Sequence, residues 1–104
     1  MDFELRTIPG CPNSGPALKL FREILAAEGR DAESVTVHEV ASEREAKELR
    51  FRGSPSFIAD GRDLFPAGSA PALSCRLYRT GLSAAGLPSA ESLRNALRAL
   101  DSQA

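Results

Sequence analysis

The chain has 104 residues, 42% of them hydrophobic, which is the size of one ordinary domain and enough to bury roughly two-thirds of the surface an unfolded chain exposes. Thirteen Lys and Arg against fourteen Asp and Glu leave a net charge of -1, so no basic surplus directs it to nucleic acid or to an anionic membrane. No apolar run nears the ~18 residues of a membrane span, and "MDFELRTIPG" lacks the basic start and long apolar stretch of a secretory signal; the expectation is a cytoplasmic protein.

In chain order, "FELRTI" alternates Phe3, Leu5 and Thr7 on one face with Glu4 and Arg6 on the other, which predicts a short strand ending at Pro9-Gly10. Leu18, Phe21 and Leu25, with Leu20 and Ile24 beside them, recur at helical spacing and predict a first helix from Pro12 to about Glu28, stopped by Gly29. "ESVTVHEV" predicts a second strand with Val35 and Val37 on one face. Ser42 with Glu45 three residues on is a capping-box pattern for a short, mostly solvated helix that Gly53 terminates. Asp60-Gly61 between two short runs predicts a tight hairpin. Ser89 caps a last helix that carries Leu93, Ala96, Leu97 and Leu100. The order is βαβαββα in a single domain spanning 1–104, with residues 67–87 as a long irregular loop that carries Cys75, Arg76 and Arg79.

Chemistry concentrates at "IPGCPNSGPAL". A helix starting at Pro12 puts Cys11 at its cap, where unpaired N–H groups and the positive end of the helix dipole stabilise a thiolate. Ser14, one turn in, is spaced to donate its hydroxyl to the same sulfur. Pro16 would kink such a helix, and the alternative is a start nearer Ser14, with Ser14 as the N-cap. Two cysteines in a reducing compartment are a poor disulfide framework, so nucleophilic, redox or metal-binding roles gain weight. His38 reads as a surface or hydrogen-bonded group, and Asp60 and Asp63 as turn formers. Arg76 and Arg79 are candidates for a substrate carboxylate, and Cys75 for a resolving or metal-binding thiol.

The Cys11-x-x-Ser14 motif after the first strand, the element order, and "GSPSF" at the head of the third strand together resemble the thioredoxin and glutaredoxin superfamily. The resemblance implies a thioredoxin-like fold with a central four-stranded mixed sheet flanked by helices. It implies that Ser54-Pro55 is a cis peptide bond beside Cys11, with backbone groups of Ser54 pairing an extended peptide or glutathione. Serine replaces the second motif cysteine, and the chain has no tryptophan. The regions "RTIPG" and "PAGSA" lack the lysine and the Gly-Gly-Asp pattern with which glutaredoxins hold glutathione.

The implied activity is that of a monothiol thiol-disulfide oxidoreductase: Cys11 forms a mixed disulfide with a disulfide-bearing protein or glutathione, and an external thiol or Cys75 releases it. No resident cofactor or metal is required, and glutathione is a candidate co-substrate. The longer pattern "GSPSFIADGRDLF", "SCRLYRT" and "LPSAESL" is also similar to small bacterial thioredoxin-like proteins, some grouped with alkylmercury lyase. That likeness implies capture of a thiophilic metal or organomercurial by Cys11 and Cys75. A third reading keeps the fold as an interaction domain without the chemistry.

Overall fold

The computed structural model of the protein describes residues 2–65, 76, 78–80 and 83–102. Strand β1 (Phe3–Thr7) is central: β2 (Thr36–Glu39) pairs with it in parallel and β3 (Ser56–Ala59) antiparallel, and β4 (Arg62–Asp63) adds to β3. The sheet is therefore mixed and four-stranded, in the order β2-β1-β3-β4, and helices α1 (Ser14–Ala27), α2 (Glu43–Leu49) and α3 (Ala90–Ser102) flank it. No helix among the described residues is long and apolar enough to cross a membrane.

The alternation of β1 sorts the two faces. Phe3 and Leu5 join Phe57 and Ala59 against the apolar stripes of α1 (Ala17, Phe21, Leu25) and α3 (Leu93, Leu97). Phe21 is fully buried and meets Phe3 and Phe57 edge to face, at centroid separations of 5.9 and 5.1 Å. The other face is largely polar. Arg6 donates from Nε to Glu4 at 2.8 Å and from Nη1 to the Leu49 carbonyl at the end of α2 at 3.3 Å. His38 is hydrogen-bonded to Glu45 at 3.0 Å, in keeping with its structural reading. A small second cluster, Val40, Ala46 and Phe51, seats α2.

Local chemistry accounts for the boundaries, and in places it moves them. Asp60 (φ 48) and Gly61 (φ 81) both take the left-handed conformation that a two-residue hairpin of the twisted sheet requires. The α2 cap forms as the pattern predicts, Ser42 Oγ accepting from the Glu45 N–H at 3.1 Å, while the Glu45 carboxylate reaches back to the Ala41 N–H. Its end differs. Arg50, not Gly53, closes the helix, in the left-handed region (φ 55, ψ 40) with its N–H on the last carbonyls. Val35 is buried, but Val37 remains 49% exposed because β2 is the outer strand.

The stretch expected to be irregular contains a two-stranded hairpin, β5 (Tyr78–Thr80) with β6 (Ser83–Ala85). Arg76, just before it, is buried. Its guanidinium donates to Asp63 Oδ2 at 2.6 Å, to Ser56 Oγ at 3.4 Å and to the Phe65 carbonyl, and it lies over the Tyr78 ring. Asp63 forms a turn, its Oδ1 accepting from the Phe65 N–H, and it also neutralises Arg76. Cys75 lies outside the described residues.

A side chain at φ 55 carries a Cβ clash that glycine avoids, offset in part by the greater entropy of glycine in the unfolded chain. Arg50→Gly is accordingly expected to raise stability by about 0.5–1 kcal/mol, read as a higher midpoint in urea unfolding at unchanged slope.

Candidate active site

The pairing of β1 with β3 determines where the thiol falls. The last pair is Arg6 opposite Ser56, two residues from Ile8 on one strand and two from Ser54 on the other. The chain then turns back on itself, the Cys11 N–H donating to the Ile8 carbonyl at 3.2 Å, which holds Cys11 beside Ser54. The Ser54-Pro55 peptide bond is cis, and both residues are buried.

Helix α1 begins at Ser14, with Asn13 as N-cap and no side-chain capping bond. Cys11 thus lies two residues before the cap, not on it as a start at Pro12 would require, and Ser14 is the first helical residue and not the cap. This later start also accommodates Pro16. At the third helical position its missing N–H would have no intrahelical partner, and the carbonyl four residues back belongs to Pro12, outside the helix.

The sulfur is partly exposed. Partial burial pushes its pKa up, and four donors outweigh that effect: the Ser54 hydroxyl, the Asn13 N–H, the Ser14 hydroxyl and the Ser14 N–H. The net result is a thiol more acidic than an ordinary cysteine. The Ser54 hydroxyl is fully buried and has no strict hydrogen-bond partner, yet it lies within reach of this sulfur. A thiolate is a large, diffuse acceptor, and it is the group this orphaned donor is set to meet.

The expectation that the Ser54 backbone stands free for a substrate is met only in part. Its carbonyl accepts the Arg76 N–H at 2.8 Å. Gly53 (φ +117) permits that approach, since a Cβ there would stand 3.0 Å from the Cβ of Arg76. The Pro55 carbonyl is also taken, by the hydroxyl of Tyr78, whose pKa burial pushes up so that it remains a donor. The Arg76 side chain, expected near a substrate carboxylate, is spent on Asp63, Ser56 and Phe65.

Two contributors escape a reading of the sequence. Asn13 gives its N–H to the sulfur, and its side-chain amide packs so tightly on Gly86 that a Cβ there would lie 2.2 Å from the amide nitrogen. A signal for Gly86 was present only as a glycine before Leu87-Pro88, which reads equally well as a loop. Among the described residues no three His, Cys, Asp or Glu side chains converge as a metal site.

In comparisons with known proteins, no family model, curated protein or solved structure matches the chain. The geometry nevertheless makes two predictions. Thiolate absorbance followed against pH is expected to titrate Cys11 below the ordinary value of about 8.5, and Ser54→Ala to move that midpoint upward by removing the strongest donor. A midpoint unchanged in Ser54→Ala would remove the hydroxyl from the account. Linkage gives the second. Because the folded pKa is the lower one, the contribution of Cys11 to stability is full above the unfolded pKa and is lost as pH falls through the folded value. Urea midpoints of wild type relative to Cys11→Ser should therefore rise between those two pH values and be level outside them.

Proposed function

We propose that the protein is a thioredoxin-like, monothiol thiol-disulfide oxidoreductase of a reducing compartment such as the cytoplasm. The observation that carries this reading is the acidic Cys11 thiol, partly exposed next to the buried hydroxyl of Ser54 in a cis Ser54-Pro55 turn. The Cys11 thiolate attacks one sulfur of a disulfide in line. A bond from Cys11 to that sulfur forms as the old S–S bond breaks, and the second substrate sulfur leaves as a thiolate that takes a proton from solvent. The donors from Ser54, Asn13 and Ser14 hold the attacking anion and hold it again when it returns as leaving group.

With Ser14 in place of a second motif thiol, release falls to an external thiol such as glutathione, which attacks the mixed disulfide and regenerates the Cys11 thiolate. Cys75 is the alternative resolving thiol. Its neighbour Arg76 is hydrogen-bonded to Ser54, although Cys75 itself lies outside the described residues. The substrate is a disulfide-bearing protein or glutathione disulfide.

Incubation with oxidised glutathione followed by mass spectrometry is expected to give one glutathione adduct, on Cys11, that reduced glutathione removes. An unmodified Cys11, or an adduct that reduced glutathione does not discharge, would sink the reading. In an insulin-reduction assay with dithiothreitol, Ser14→Cys should exceed wild type, because an adjacent thiol resolves the mixed disulfide at high effective concentration.

A further inference from the structure

A cavity elsewhere in the molecule shares no residue with the groups that touch Cys11. It has a volume of about 540 Å³, within the usual range for small-molecule sites. Its walls are apolar: Leu49 and Phe51 come from the end of α2 and the segment after it, Ile58 from β3, Leu64 from the segment after β4, and Ala99 and Leu100 from α3. Among the described residues four arginines also line it, Arg6, Arg50, Arg52 and Arg62, against a single acid, Asp63.

The charges there do not balance internally. Asp63 is committed to Arg76, and Arg6 to Glu4. Arg50, Arg52 and Arg62 have no ion-pair partner among the described residues, in a chain whose overall charge is -1. Arg50 adds an independent sign. It holds the left-handed closing position of α2, where glycine is favoured, and a residue kept at conformational cost on the rim of a cavity points to use of its side chain.

From this combination we infer that the cleft binds an amphipathic organic anion: one carboxylate or phosphate head among Arg50, Arg52 and Arg62, and an aliphatic or aromatic body against the partly exposed Leu49, Leu64 and Leu100. The three free guanidiniums supply donors in the fork geometry that suits planar or tetrahedral oxyanions. The apolar walls exclude simple inorganic anions as the preferred ligand, because these leave the greater part of the cleft unfilled. The inference is independent of the chemistry at Cys11.

Decanoate is a suitable probe, with decyltrimethylammonium as a cation of matched tail and inorganic phosphate as a head without a tail. In titrations followed by amide NMR, decanoate is expected to bind one to one, with shifts centred on Phe51, Ile58 and Leu64. The cation and phosphate should bind at least about tenfold more weakly. The double variant Arg52→Ala/Arg62→Ala should weaken decanoate about tenfold or more, as loss of hydrogen bonds to a charged group does. Arg50→Gly should weaken it while raising the urea midpoint, whereas Lys19→Ala, an exposed cation on α1 away from the cleft, should leave affinity unchanged. The inference is overturned if decanoate fails to bind at millimolar concentration or if its shifts lie outside the cleft. Equal binding of the cation or of phosphate, or unchanged decanoate affinity in the arginine variants, overturns it as well.

Discussion

The antiparallel register of β1 with β3 is the constraint on which the rest depends. Once Leu5 faces Phe57 and Arg6 faces Ser56, Phe3, Leu5, Phe57 and Ala59 lie under α1 and α3. The same register ends two residues short of Ile8 on one strand and of Ser54 on the other, and the turn back from Ile8 brings Cys11 beside Ser54. A slip of one residue would transfer Phe3, Leu5, Phe57 and Ala59 to the polar face. The hydrophobic core and the thiol environment are therefore specified by one pairing, and neither can shift without the other.

A second layer of polar interactions fastens the β4 side of the sheet. Arg76 is buried and bonded to Asp63, Ser56 and the Phe65 carbonyl, its N–H holds Ser54, and Tyr78 holds Pro55. Removing one partner of a buried pair strands the other, at a cost of about 3–5 kcal/mol, so Arg76 and Tyr78 are coupled tightly to the turn beside Cys11. Their bonds take up the Ser54 and Pro55 carbonyls of that turn.

Much of this was legible in the sequence where the signal is local. The Asp60-Gly61 turn, the Ser42 cap, the Ser89 cap of α3 (Oγ to the Ser92 N–H at 3.1 Å) and the apolar stripes of α1 and α3 all express short-range chemistry. Cys11 and Ser14 come together as their spacing suggests, and Ser54 lies beside them as the resemblance implies. What was not legible depends on partners distant in the chain. Nothing in "SCRLYRT" announces that Arg76 will be buried, because its counter-ion, Asp63, is assigned a sufficient role as a turn former. Arg50 gives no sign of a left-handed backbone, and Gly53 three residues later is the stronger apparent stop. The β5–β6 hairpin is hidden because "YRTGLSAA" has no alternation of large apolar residues. Ser54 was read for its backbone, whereas its hydroxyl is the group that faces the sulfur.

The distance in sequence between Cys11 and Ser54 bears on how the protein is made. The strongest donor to the sulfur arrives with β3, 43 residues after the cysteine itself (54 − 11), and the tight neighbour of Asn13, Gly86, arrives later still. A nascent chain whose third strand is still inside the ribosome lacks the strongest of the four donors to that sulfur. The full set assembles only as β3 docks on β1. Synthesis proceeds from the N-terminus at some 5–20 residues per second, so for several seconds Cys11 is held by fewer donors than in the folded protein. The acidity of the thiol therefore reaches its folded value only once the strand that follows the cis turn is in place.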